Sequence, residues 1–332
     1  MRKTAIILIF TLLALIIVSL VNGSVDIPLR ESWSVIKNPD ANHVTAKILF
    51  DIRIPQCLTA ILAGAALSAA GLMLQTTLGN PLAGPSILGI STGASVGAAV
   101  VTMITGTMAA GAVVSGAMIG ALAVLTLIMS LSAAVRSNTM LLIIGIMISS
   151  MGASAIELLN FWSPAESVKT FAVWGMGTFA NVQLSQIPVF LIVCGAGLLS
   201  GTLMTKKLNA LLLGENYAAS VGVDVKKSRL FLLLTTGILT AIVTAYCGPV
   251  AFIGLAMPHV ARLLLKTSDH RRLMPSTMLC GAVVALCFNI ICTGFPSLGQ
   301  LPLNAVTPVF GAPVVIWVAT RGRKTSDYGH RH

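Results

Sequence analysis

Long apolar stretches alternate with short polar clusters along the whole chain, and ten are of crossing length: near residues 4–21, 56–75, 86–105, 112–134, 139–160, 187–204, 229–247, 249–265, 273–292 and 303–320. A membrane's hydrocarbon layer takes ~20 mostly apolar helical residues to cross, so each stretch predicts one crossing helix. The remaining residues are scattered in short connections. None approaches the ~50–250 contiguous residues of a soluble catalytic domain. The pattern predicts an all-α polytopic membrane protein, one transmembrane domain over 1–332, driven by a separate chain or by an ion gradient.

Detail within the stretches predicts how they pack. The second carries Ala63-Gly64-Ala65-Ala66 and Ser68-Ala69-Ala70-Gly71, and the third carries Gly89, Gly93 and Gly97. Small residues at three- and four-residue spacing let helices approach where lipid supplies no hydrophobic drive, so both helices should lie inside the bundle. A tight turn is expected over Gly79-Asn80-Pro81-Leu82-Ala83-Gly84-Pro85. The seventh stretch breaks at Gly248-Pro249, and the eighth holds Gly254, Pro258, His259 and Arg262. Gly and Pro inside a span release backbone groups that neighbours or water must satisfy, so this helix should bend or line a cavity. Gly84-Pro85 to Gly89 and Gly248-Pro249 to Gly254 hold comparable places in the two halves, entering from opposite sides, as inverted repeats do. Val173 to Phe179 is weakly apolar and too short to cross, and reads as an interfacial or re-entrant helix.

Composition agrees: 56% of residues are hydrophobic, 9% are charged and mean hydropathy is +0.92, outside the range of a soluble domain. The net charge of +11 would suit nucleic acid, but its distribution speaks for topology instead. With the N-terminus inside, sixteen Lys and Arg fall on the inner side, while Arg30, Lys37, Lys47, Arg53 and Lys169 fall outside. This positive-inside bias puts both termini in the cytoplasm and makes 22–55 the largest outer segment. No nucleic-acid partner is implied. Arg2 and Lys3 before an apolar run imitate a signal peptide, yet no A-x-A-like site follows, so the run reads as an uncleaved first helix. Cys57, Cys194, Cys247, Cys280, Cys287 and Cys292 lie within or at the ends of the stretches without C-x-x-C spacing. They read as small buried residues, not disulfides or metal ligands.

The longest charged connection, 205–229, has helix-forming Leu and Ala, Glu215 at its centre and Gly222 seven residues later. That composition predicts a short folded element rather than a tether, suited to docking on the cytoplasmic side. Glu215-x-x-Ala218-Ala219-x-x-Gly222 resembles the Glu-Ala-Ala…Gly loop that seats ATP-binding-cassette (ABC) importer permeases in a cleft of their ATPase. Six more segments follow in order: Arg53-Ile-Pro55; Ala63 to Leu67; Asn80-Pro81-Leu82-Ala83; Leu88-Gly89-x-Ser91-x-Gly93-Ala94; Gly248-Pro249-x-x-Phe252-x-Gly254-Leu255-x-x-Pro258-His259-x-x-Arg262; and Leu301-Pro302 with Thr307 and Gly311-Ala-Pro313. With these the chain resembles the FecCD/BtuC-type permease family over nearly its whole length.

The resemblance implies the ABC type II importer permease architecture. Two copies of ten helices would flank one path across the inner membrane, with two ATPase subunits below and a periplasmic binding protein above. The cargo of the family is a metal chelate: ferric siderophore most commonly, or haem or cobalamin. The resemblance gives Glu215, Ala218, Ala219 and Gly222 to ATPase coupling, and Arg53 to docking of the binding protein. It gives Asn80, Pro81, Gly248, Pro249, Gly254, Pro258, His259 and Arg262 to motif and hinge positions. Gln56 stands where the family has a second arginine, and Asn289 and Thr293 stand about where it has an acid and a further arginine, so docking through charge is thinner here. No G-x-x-x-x-G-K-[ST] loop occurs. ATP and Mg therefore belong on the partner ATPase, the chain is not itself an enzyme, and no cofactor or metal is expected in it.

Other residues invite chemistry. Glu157 is the one acid inside a predicted span, where mid-membrane burial costs ~2.5–3.5 kcal/mol, so it should lie near the outer end or face water. With Asn160 and Trp162 it either lines an outer vestibule or sits as an interfacial carboxylate. Arg53 has snorkelling as its plain alternative. A lone His259 points to structure or coupling rather than a metal. His270, His330 and His332 are expected in solvated inner loop and tail, and Met73, Met176 and Met257 in packing. A gradient-driven secondary transporter is the rival function, and it would need acids or basic pairs at midplane where only Glu157, off centre, is available. An intramembrane enzyme would need a nucleophile–base pair or a metal cluster, and none is visible.

Overall fold

The computed structural model describes residues 2–23, 25, 27–37, 43–107, 109–135, 137–294 and 301–326, with backbone alone at 2, 29, 32, 36 and 317–326. Arg136, His330, Arg331 and His332 lie outside the described residues. The helices are α1 (Arg2–Val21), α2 (Leu29–Lys37), α3 (His43–Lys47), α4 (Ile54–Thr77), α5 (Ile90–Ala99), α6 (Ala110–Ala134), α7 (Asn138–Trp162), α8 (Ala165–Gly175), α9 (Ile187–Leu203), α10 (Thr205–Leu212), α11 (Glu215–Ser220), α12 (Val225–Cys247), α13 (Ile253–Leu265), α14 (His270–Thr293) and α15 (Leu303–Ser326). Among the described residues seven helical stretches are long and apolar enough to cross a membrane, and three shorter apolar ones, Ile90–Ile104, Ile253–Leu265 and Leu303–Ile316, fall at the other three expected positions.

The small residues explain the centre of the bundle. The helical stretch ending in α4 is 83% buried over its most apolar window, against 6% for α1, whose Ile7, Phe10 and Leu13 face outward. A Cβ on Gly71 would stand 1.7 Å from the carbonyl oxygen of Gly254, and one on Gly64 would stand 2.2 Å from that of Gly281. So α13 and α14 cross α4 backbone to backbone. The same device joins α5 to α6, where a Cβ on Gly97 would meet the Gly116 oxygen at 2.0 Å. One apolar core forms around α4, α9, α13 and α14, a second around α5, α6 and α7, and α12 contributes to both.

Three boundaries depart from the sequence reading. Residues 22–55 are not simply loop, since they contain α2 and a helix running unbroken from His43 into α4. Pro55, which has no N–H to give to the preceding turn, follows the π-helical turn Ile48–Arg53, so this helix is continuous without being α-helical throughout. The outer helix occupies Ala165–Gly175 rather than 173–179, and residues 176–179 are irregular. The eighth crossing begins at Ile253, leaving Gly248–Phe252 out of helix. At ~1.5 Å per residue α13 is too short to cross alone.

Candidate functional site

At one end of the bundle α10 and α11 form a compact knob. Leu208 and Ala218 are fully buried beneath it, while Leu212, Leu213, Tyr217 and Val221 are exposed. The Ala-Ala…Gly spacing has a local cause. Gly222 (φ 83°) ends α11 in the left-handed region, its N–H donates to Ala219 O at 3.0 Å, and the Val223 N–H donates to Ala218 O at 2.9 Å. These bonds are those of a Schellman cap. Asp224 then caps α12, its carboxylate accepting from the Lys227 N–H at 3.0 Å. That bond first, then the Lys227 side chain, holds the Asp224 carboxyl below its ordinary range. Glu215 faces its own chain: it pairs with the Arg229 guanidinium and accepts from Asn138 Nδ2 at 3.1 Å. Its charge fastens the knob to α7 and α12.

Beside the knob, the expected motifs meet at the end of α4. The Asn80 carboxamide turns the chain by accepting from the Leu82 N–H at 2.9 Å. His259 Nε2 donates to Pro81 O at 2.8 Å, and Arg262 donates to Gln75 Oε1 at 2.8 Å. The Gln75 amide nitrogen reaches Leu255 O at 3.1 Å. Segments 80–81 and 258–262, distant in sequence, thus form one junction. His270 is not solvated as its loop position suggested. It is wholly buried, its Nδ1 and backbone N each 2.8 Å from Asn209 Oδ1 and its Nε2 2.8 Å from Thr76 Oγ1. Asn209 Nδ2 donates to Asp269 Oδ1 at 2.6 Å, the main reason the Asp269 carboxyl lies below its usual range, followed by the Arg271 N–H.

The Gly248–Phe252 break is braced by Asn304, which the sequence reading missed. Its side chain accepts from the Ala251 N–H at 3.3 Å and donates to Gly175 O at 3.1 Å and to Pro249 O. The only sequence signal was an amide at the mouth of the last span. Gly248 takes φ 75°, ψ 176°, a region essentially restricted to glycine, and its missing Cβ would fall 2.5 Å from Trp174 O. Phe252, at φ 67°, packs its Cβ against Gly311. The two Gly-Pro segments come together: Pro85 lies against Gly254, beside a cavity of about 110 Å³ lined by Gly84, Pro85, Val250, Ala251 and Phe252.

At the opposite end Arg53 turns into its own chain. Arg53 is 5% exposed, and its guanidinium donates to Leu20 O at 2.6 Å, to Val21 O at 2.7 Å and to Val25 O. It caps α1. Gln56 donates to Asn289 at 2.9 Å, so two departures from the family pattern form one neutral buried pair. Glu157 and Trp162 are exposed near the end of α7, and Asn160 Oδ1 is buried without a partner. All six cysteines are free thiols, and no cluster of three metal-ligating side chains occurs among the described residues.

A model of the FecCD transport family matches residues 11–321. The chain belongs to the FecCD transport family. It is 31% identical over 323 residues, 95% of both chains, to the hemin transport system permease protein HmuU of Yersinia pestis. It is 33% identical over 296 residues, 86% of this chain and 87% of the other, to the vitamin B12 import system permease protein BtuC of Klebsiella pneumoniae subsp. pneumoniae. A solved structure of a metal-chelate type ABC transporter in an inward-facing conformation matches with a TM-score of 0.85 at 25% identity, covering 97% of this chain and all of that one. The chain is thus a multi-pass permease of the inner membrane, of the kind whose ATP is hydrolysed on separate subunits.

Proposed function

We propose that this permease works as a homodimer, with two ATPase subunits and a periplasmic binding protein, to import a metal chelate. Ferric siderophore is the first choice, with haem and cobalamin as alternatives. The observation that carries the reading is the α10–α11 knob: a capped, rigid element with Leu212, Leu213, Tyr217 and Val221 exposed on a chain without a nucleotide-binding loop. Apolar side chains presented on a folded surface suit a protein partner. In this reading α10 and α11 lie in the cytoplasm with both termini, Ala218, Ala219 and Gly222 shape the surface the ATPase grips, and Glu215 orients it. Arg53 supports the outer segment on which the binding protein lands, and Glu157, Asn160 and Trp162 stand at the outer mouth of the path. The whole chain acts as one transmembrane domain.

Proteoliposomes test this. The permease with its ATPase and binding protein should take up one of haemin, cyanocobalamin or a ferric hydroxamate only when ATP is present. Uptake driven by a proton or sodium gradient with the ATPase omitted would make it a secondary transporter and end the importer reading.

A further inference from the structure

The hydrogen bonds near the knob form a connected chain. Asn209 on α10 holds the first turn of α14 three ways, accepting twice from His270 and donating to Asp269. Because the Asn209 oxygen takes the Nδ1 proton of His270, Nε2 faces the Thr76 hydroxyl as an acceptor at 2.8 Å, and the Leu72 carbonyl of α4, 3.0 Å from that hydroxyl, shares its proton. Thr76, 6% exposed, lies on α4 next to Gln75, 4% exposed. Gln75 in turn holds Arg262 and the Leu255 carbonyl of α13, and α13 holds Pro81 through His259. Buried hydrogen bonds are directional and costly to leave unmade, so a shift of α10 cannot be absorbed here as it could be between apolar faces. The far end of α13 is the braced break at Phe252, where a non-glycine residue sits at positive φ, a conformation that stores strain.

We propose that Asn209, His270 and Thr76 relay displacement of the α10–α11 knob into α4, and that Gln75, Arg262 and His259 pass it to the broken helix α13. These are positioning residues for the transport cycle. The inference rests on the docking role given above to α10 and α11.

The test uses the complex of permease and ATPase, with Ala251→Cys introduced beside the break and modification at 251 by a membrane-impermeant maleimide followed by peptide mass. The parent is expected to change its labelling rate about fivefold or more between the nucleotide-free state and ATP with vanadate. Thr76→Val should abolish that change while the ATPase still co-purifies and hydrolyses ATP, and Thr76→Ser, which restores the hydroxyl, should recover it. Asn209→Leu supplies the same loss should Thr76→Val fail to fold. An undiminished response in a folded Thr76→Val or Asn209→Leu complex overturns the relay, as does a parent that shows no response. The docking reading fails on a different result, an ATPase that does not co-purify with the parent.

Discussion

Asp269 and Asp224 each cap a helix next to the knob, and hydrogen bonds hold both carboxyls below their ordinary range. A depressed native pKa contributes stability above the unfolded value, near ~4 for Asp, and that contribution is lost as pH falls through the folded value. The difference in Tm between the parent and Asp269→Asn in detergent should therefore be constant from neutral pH to about 5 and shrink below about 4. Asn304 acts through geometry instead of charge. Asn304→Leu would strip partners from Ala251 N–H, Gly175 O and Pro249 O, at ~1–3 kcal/mol for each group left buried. Faster hydrogen exchange at Ala251 and a lowered Tm should report the loss.

Among the elements, α11 shows how six residues become a rigid surface. Gly222→Ala forces a Cβ into φ 83°, at ~1–2 kcal/mol, and should unravel the end of α11. Co-purification of the ATPase should fall while membrane insertion stays intact. The glycine was legible in the sequence because its reason is local: a helix of known composition had to end there. The ten apolar helical stretches and the close approach at Gly64 and Gly71 were legible for the same kind of reason, apolar length and small-residue spacing. Arg53, His270 and Asn304 were not. Their positions follow from carbonyls and amides 33, 61 and 129 residues away in the chain, and no local pattern announces such partners. The start of α13 escaped too, since Pro249 marks a break without saying that the chain stays out of helix as far as Phe252.

At the scale of the molecule, α12 joins two packed groups of helices, and the knob and the braced break stand at its two ends. With the knob on the cytoplasmic side, as proposed from the charge bias, Ser220→Cys should react with an impermeant thiol reagent in inverted vesicles and not in right-side-out ones. Between those ends lies the crossing of α4 and α13, where a Cβ on Gly71 would meet the carbonyl oxygen of Gly254 rather than any side chain. Every amino acid carries that oxygen. No replacement at position 254 can make room for a larger residue at 71, and the pair cannot drift by compensating exchange. A side chain at 71 can enter only if the two helices themselves move apart, because the atom in its way is one that mutation cannot remove.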